Sequence, residues 1–101
     1  MQALLDAVST PRRREILRLV WDAERSSGEI AAHFDASWPS ISRSLRTLRD
    51  AGALTERRVG NRRIYRADRK ALRPLETFLR QFWQSGLERI GEAIEKEKKR
   101  R

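Results

Sequence analysis

The stretch SWPSISRSLRTLRD, residues 37–50, decides the fold of this chain. Ser37 is a residue type that caps helix N-termini, and Pro39 falls in the first turn, where its missing N–H leaves no partner unsatisfied. At 100° per residue, one narrow face of the resulting helix is apolar. The residues on that face are Ile41, Leu45 and Leu48. The pattern predicts a helix over about 38–51 that buries a single stripe.

The rest of this predicted helix carries small and basic side chains. Short side chains allow close approach to base edges in a major groove, and arginines can bind guanine or a phosphate. The helix N-terminus adds unpaired N–H groups. We therefore predict a recognition helix whose DNA-contacting residues are Trp38, Pro39, Ser40, Ser42, Arg43 and Arg46. Two interpretations of Trp38 stay open, because the helical wheel places it beside Leu45: contact with a base, or packing against the edge of the domain.

Two predicted helix starts precede this segment, and one predicted helix end follows it. Thr10 before Pro11 predicts one N-cap, and Ser26 with Glu29 has the spacing of a capping box. The residues 35–36 are then all that separates the third helix from Ser37, which is typical of a helix-turn-helix. Gly52 is expected to end the recognition helix in a conformation with positive φ.

After Gly52 the apolar pattern changes period, and residues 53–67 are predicted to form a β-hairpin. Gly60 and Asn61 supply the turn, and Ile64 and Tyr65 are strand formers. Arginines crowd the turn. Three of them are predicted to contact nucleic acid, and they are Arg57, Arg62 and Arg63.

A long helix is predicted from about 69 to 95, with apolar residues close to a 3-4 repeat. Its stripe is longer than so small a domain can cover, so a partner helix is expected. Residues 96–101 contain no apolar side chain, and we expect this basic tail to be frayed. The fold class is therefore mainly α with a small β-hairpin, in one domain over residues 1–95.

Composition limits the possible functions. The 101 residues carry a formal charge of +9, and eight arginines against two carboxylates lie between Ser37 and Arg66. Such a basic patch is typical of nucleic-acid binding. Without cysteine there is no disulfide or thiolate metal site. The sequence shows no signal peptide, membrane span or phosphate-binding motif and only one His, so we expect a cytoplasmic protein that is not an enzyme.

Three segments together resemble the arsenical-repressor-like (ArsR) family of bacterial winged-helix transcription regulators. TPRRREIL (10–17) resembles the second helix of the family, SSGEIAAHFDASWPSISRSLRTLRDAGAL (26–54) its helix-turn-helix, and RRVGNRRIYRA (57–67) its wing. The resemblance implies a homodimer on double-stranded DNA, joined by its first and last helices, with one recognition helix in each major groove of a palindromic operator. The implied interface residues are Leu4, Leu5, Leu72, Leu75, Leu79, Phe82 and Trp83.

Two departures from the family pattern concern specificity and sensing. Many relatives have a small polar residue in place of Trp38 and a His in place of Ser44, which implies a different operator preference or a tip that packs instead of reading bases. Many relatives also release DNA when metal binds cysteines or a His and acidic cluster. Here Cys is absent and His33 stands alone, so we expect no metal site and no cofactor.

Two functional hypotheses follow. The first is a dimeric, sequence-specific repressor, which the capped recognition helix and the arginine-rich hairpin favour. The second is a protein-interaction module, antitoxin-like or a regulatory subunit, whose last helix docks on another protein while the chain binds DNA weakly and without specificity. The identity of any effector is not predicted by these residues.

Overall fold

The computed structural model describes residues 1–100, with all of their side chains except those of residues 87 and 98–100. Within these residues the chain forms five helices and three strands, mainly α with a small β-hairpin, which confirms the predicted fold class. In chain order they are α1 (Gln2–Ala7), α2 (Pro11–Leu19), β1 (Arg25–Ser26), α3 (Ser27–Ala32), α4 (Trp38–Asp50), β2 (Leu54–Val59), β3 (Arg62–Ala67) and α5 (Arg69–Arg100). Of the helices that the structure describes, none combines the length and the apolar composition needed to cross a bilayer.

Side-chain caps define the helix starts. Thr10, Ser26 and Ser37 each accept a hydrogen bond from the backbone N–H three residues later, as predicted. Glu29 completes the capping box by accepting from the Ser26 N–H at 3.2 Å. Asp68 caps α5 in the same way, with its Oδ1 at 3.0 Å from the N–H three residues later. These bonds satisfy N–H groups that a helix cannot pair internally.

Gly52 ends α4 in the predicted conformation, with a φ of 85°. Its N–H donates to the carbonyl of Arg49 and the N–H of Ala53 donates to that of Leu48, both at 2.9 Å. This is the Schellman pattern, which turns the chain sharply at a helix end. The Ala53 carbonyl then accepts from the Asp68 N–H at 2.9 Å, so the start of the hairpin is tied to the start of α5.

The core lies between α4, the first two helices and the opening turns of α5. The three predicted anchors of α4 are almost fully buried, with Ile41 and Leu48 at 0% exposure and Leu45 at 1%. Other fully buried core residues are Ile16, Val20 and Ile30. Burial of such side chains contributes about 1.5–3 kcal/mol each, so the apolar stripe of α4 fixes which of its faces points outward.

The sheet is antiparallel with strand order β1-β3-β2. The hairpin register runs from Leu54 opposite Ala67 to Val59 opposite Arg62, around a turn in which Gly60 has a φ of 62°. The predicted hairpin is thus confirmed. Strand β1 was not predicted, because its two residues have no alternating pattern of their own and form a strand only by pairing with β3.

Two boundaries differ from the predictions. Helix α3 ends at Ala32, so residues 33–36 separate it from the Ser37 cap, whereas a connection of two residues was expected. Helix α5 continues to Arg100, beyond the predicted end at 95 and into the tail expected to fray. Glu and Lys are good helix formers, and Glu92 with Lys96 has the favourable i,i+4 order, which accounts for the extension. Residue 101 lies outside the described residues.

Candidate nucleic-acid interface

The outward side of α4 presents the predicted contact residues together. Five of the six line one shallow cleft of about 360 Å³, and they are Trp38, Pro39, Ser42, Arg43 and Arg46. Ser40, the sixth, is half-buried on the adjacent side of the helix, where its hydroxyl accepts a hydrogen bond from Ser37 Oγ at 2.9 Å. We call Pro39, Ser42, Arg43 and Arg46 the reading face.

Trp38 stands at the first position of α4 and is 52% exposed. Trp38 is not one of the partly buried apolar residues that pack against the core within the described part of the chain. Its ring instead borders the cleft of the reading face. Of the two interpretations left open, packing on the domain edge therefore loses support, since a packed indole would be mostly covered.

The arginines of α4 divide into two groups by their ion pairs. Arg49 binds Glu56, with Nη1 and Oε2 at 2.9 Å, and this contact raises the pKa of the guanidinium. Neither Arg43 nor Arg46 takes part in an ion pair among the residues that the structure describes, and both are exposed. The outer part of α4 thus has two uncompensated positive charges beside small side chains, which is the chemistry that a major groove accepts.

The three predicted wing arginines all have carboxylate partners. Arg57 Nε lies 3.1 Å from Glu24 Oε1, and Arg62 Nη2 lies 2.9 Å from Glu29 Oε1. The third, Arg63, has Nε 3.5 Å from a Glu56 oxygen. All three guanidinium-bearing side chains remain more than half exposed, at 58%, 62% and 51%. The exposed pairs of Arg57 and Arg62 contribute little net stability, so a DNA phosphate can replace the carboxylate there.

The ion pairs also shift the titration of the acidic partners. Hydrogen bonding from Arg57 lowers the pKa of Glu24, and the same contact raises the pKa of Arg57. Hydrogen bonding from Ser26 lowers the pKa of Glu29, with a smaller contribution from the charge of Arg62. Both carboxylates are therefore ionised at neutral pH and reduce the positive potential of the wing.

Two further wing arginines are missing from the predicted contact set. Arg58 stands opposite Arg63 in the register. Arg66 stands opposite Thr55, and its side chain lies on the face of the hairpin opposite to that of Arg58. Both are exposed, and neither takes part in an ion pair among the described residues. Nothing local distinguishes them from Arg57 or Arg62, because the carboxylates that neutralise the latter lie 33 positions earlier.

The predicted interface residues fall into two sets. Leu4, Leu72 and Leu75 lie in the core of the protomer, and Leu5 is half-buried against it, so these side chains have little surface left for a partner. The opening turns of α5 contact α1, which accounts for the burial of Leu72 and Leu75 in the protomer. The second set is exposed and contains Leu79 at 41%, Phe82 at 63% and Trp83 at 64%.

Further apolar side chains extend the exposed set along α5. Phe78 and Phe82 are stacked with centroids 6.4 Å apart, and the rings of Phe82 and Trp83 meet edge-on at 6.3 Å. We call the whole set the apolar strip, which consists of Phe78, Leu79, Phe82, Trp83, Ile90 and Ile94. It adjoins a cleft of about 290 Å³ walled by Val8 and Trp21. Exposed apolar patches of this extent mark interaction surfaces.

His33 lies in the C-cap of α3 and is accounted for by an ordinary contact. Its Nε2 is 3.2 Å from Glu15 Oε1, and Glu15 is also bound by Arg18. Within the described part of the chain, no three His, Asp or Glu side chains come together as a metal site requires.

Known proteins are similar to this chain in both sequence and fold. A family model described as "Bacterial regulatory protein, arsR family" matches residues 10–55, from α2 to the start of β2. The transcriptional repressor SdpR of Bacillus subtilis is 40% identical over 60 residues, covering 59% of this chain and 67% of its own length. The HTH-type transcriptional regulator Rv2034 of Mycobacterium tuberculosis is 32% identical over 96 residues, covering 95% and 86% respectively.

A solved structure extends the similarity to three dimensions. The crystal structure of a possible transcriptional regulator for arsenical resistance superposes with a TM-score of 0.77 at 36% identity, over 89% of this chain and 93% of that one. The residues that the family model matches include α2, α3 and the reading face on α4. The chain therefore belongs to the arsR family of bacterial regulatory proteins, a family of DNA-binding transcriptional regulators.

Proposed function

We propose that this chain is a dimeric, sequence-specific repressor that acts in the cytoplasm and inserts α4 into the major groove of a palindromic operator. The observation that carries the proposal is the division of α4. Its apolar stripe is almost fully buried, and its opposite side holds two exposed arginines outside the described ion pairs. A helix fixed in this way offers a rigid set of donors to base edges and phosphates.

The apolar strip supports the dimer. Its aromatic and aliphatic side chains are exposed on α5, whereas the reading face lies on α4. A two-fold axis through this helix would bring two copies of the strip together and separate two α4 helices. Such dimers bind half-sites about 34–36 Å apart, one turn of DNA. The proposal therefore predicts a palindrome with that spacing.

Footprinting on the promoter region of the protein's own gene tests the proposal. A discrete, two-fold symmetric protected site is expected, with affinity that falls as salt increases. Arg43→Ala should weaken binding at that site by about 1–3 kcal/mol. Equal affinity for every DNA sequence would refute sequence-specific repression.

The same strip also suits a second candidate, in which this chain is the DNA-binding subunit of a hetero-complex. Apolar helix faces can dock on unrelated proteins as well as on their own copy. Sedimentation of the purified chain separates the two candidates. A homodimer that covers Phe82 and Trp83 leaves the second candidate no docking surface, whereas a monomer at high concentration would favour it.

A further inference from the structure

A second cleft, of about 330 Å³, lies between the start of α2 and the side of α4. The wall on α2 runs from Thr10 to Arg13, and the wall on α4 consists of Ser40, Arg43, Ser44 and Thr47. Three of the eight lining residues are arginines, four are hydroxyl residues and none is acidic. This composition differs sharply from that of the wing, where each predicted arginine has a carboxylate partner.

Two of the three arginines can turn their charge toward a ligand. The guanidinium of Arg13 is occupied at the end of α1, where Nη2 donates to the carbonyl of Asp6 at 3.0 Å and to Ser9 Oγ at 3.2 Å. Arg12 and Arg43 are exposed and take part in no ion pair among the described residues. They therefore supply the positive charge of the cleft.

The start of α2 adds one backbone donor. Pro11 has no N–H, the N–H of Arg13 donates to Thr10 Oγ1, and the N–H of Arg14 donates to the Thr10 carbonyl. The Arg12 N–H is left without a partner within the helix, at the end where the helix dipole favours an anion.

Ser44 gives an independent indication of a ligand. Its side chain lines the cleft, only 8% of the residue is exposed, and no hydrogen bond among the described residues involves its hydroxyl. Within the described residues no fully enclosed side-chain oxygen lacks a partner, so the Ser44 hydroxyl opens into the cleft. A mostly buried serine whose hydroxyl opens into the cleft, without a partner among the described residues, can hydrogen-bond a ligand held there.

We propose that this cleft binds one backbone phosphate of the operator, held by the guanidinium groups of Arg12 and Arg43, by the Arg12 N–H and by the Ser44 hydroxyl. The inference rests on the proposed function. Arg43 lines both this cleft and that of the reading face. A phosphate held here would lie on the strand that borders the groove occupied by α4, and would set the depth and register of the helix.

Two substitutions and a matched control test the phosphate site in titrations of operator DNA at several salt concentrations. Arg12→Gln should weaken binding about tenfold, as loss of a hydrogen bond to a charged group does, and lower the salt slope by about 0.9, the value for one phosphate contact. Ser44→Ala should weaken binding several-fold, leave the slope unchanged and not lower the melting temperature, because the hydroxyl has no partner in the protein. Arg18→Gln removes the same charge from the other end of α2, where Arg18 binds Glu15, and should change affinity by less than about twofold.

A neutral methylphosphonate placed at each backbone position in turn identifies the phosphate. At one position per half-site, the neutral linkage should weaken binding of the wild-type protein more than it weakens binding of Arg12→Gln. If the wild-type footprint is present but Arg12→Gln and Ser44→Ala both bind like wild type, the phosphate site is refuted and the proposed function stands. If the wild-type protein gives no footprint, the proposed function itself fails.

Inorganic phosphate distinguishes the DNA backbone from a free anion as the source of the phosphate group. At constant ionic strength, millimolar phosphate should raise the melting temperature no more than chloride does, and should not release operator DNA. Saturable binding of free phosphate that depends on Arg12 and releases DNA would overturn the assignment to a DNA phosphate.

Discussion

Replacing Phe82 by alanine should separate the proposed dimer into monomers without unfolding either. Phe82 is 63% exposed in the protomer and lies in the apolar strip, where its ring contacts those of Phe78 and Trp83. It has no place in the buried core of the protomer, whose α5 residues are Leu72 and Leu75. Its main contribution to stability therefore comes from contact with a partner.

The size of the effect follows from the exposed area. A phenylalanine can bury about 200 Å², so an exposed fraction of 63% leaves about 125 Å² for the partner. At about 25 cal/mol per Å², and with part of that area retained by alanine, the loss is about 2 kcal/mol for each protomer. A two-fold axis uses the position twice, which gives about 4 kcal/mol and a dimer dissociation constant about a thousand times larger.

Sedimentation velocity over a range of chain concentrations measures this constant directly. Val59→Ala is the matched control, because Val59 is also exposed, at 48%, but lies at the tip of the wing. The control should sediment like wild type. A Phe82→Ala protein that stays dimeric at concentrations where wild type begins to dissociate would refute the assignment of the strip to the dimer.

Three further predictions concern DNA binding and stability. Arg46→Ala should weaken operator binding by about 1–3 kcal/mol and relax sequence preference, while far-UV circular dichroism stays unchanged; an unaltered preference would exclude a base contact. Gly52→Ala should destabilise the fold by about 1–2 kcal/mol in chemical denaturation, because φ is +85° and an added Cβ meets no atom within 4 Å, so backbone strain alone acts. At Gly86, inside α5, an added Cβ also meets no atom within 4 Å, so Gly86→Ala should instead stabilise the fold, because alanine is the better helix former. Hydrogen bonding from Arg57 lowers the pKa of Glu24 below its ordinary value of 4.5, and protonation of Glu24 breaks the pair, so the fold should lose stability as the pH falls below 4.5. Thermal unfolding of wild type and Glu24→Gln between pH 3 and 6 measures this loss. The same pH dependence in both proteins would contradict the prediction.

Features that depend on neighbouring residues were predictable from the sequence. The caps at Thr10, Ser26 and Ser37 and the positive φ of Gly52 and Gly60 each follow from the chemistry of a few adjacent positions. The buried stripe of α4 follows from helical periodicity in the same way. These local features were enough to place the reading face, since fixing the buried side of a helix fixes the exposed side.

Features that depend on distant residues were not predictable. Strand β1 exists only through its pairing with β3, and the carboxylates that pair with Arg57 and Arg62 come from a segment 33 residues earlier. The 3-4 repeat of α5 showed which side of the helix is apolar, but not that the protomer itself covers Leu72 and Leu75. The protomer core covers the opening turns of α5 and leaves the apolar side chains from Phe78 to Trp83 exposed.

The length of α5 has a consequence for how the regulator responds to its own abundance. The 32 residues of α5 extend well past the protomer core, and the side chains of Ile90 and Ile94 are exposed to solvent. A helical segment without tertiary contacts is marginal in water, so pairing of two chains would stabilise the outer half of each. In the proposed dimer, folding of that half is therefore linked to chain concentration. Below the dimer dissociation constant the amount of dimer rises with the square of the amount of chain, so a small change in synthesis produces a larger change in operator occupancy.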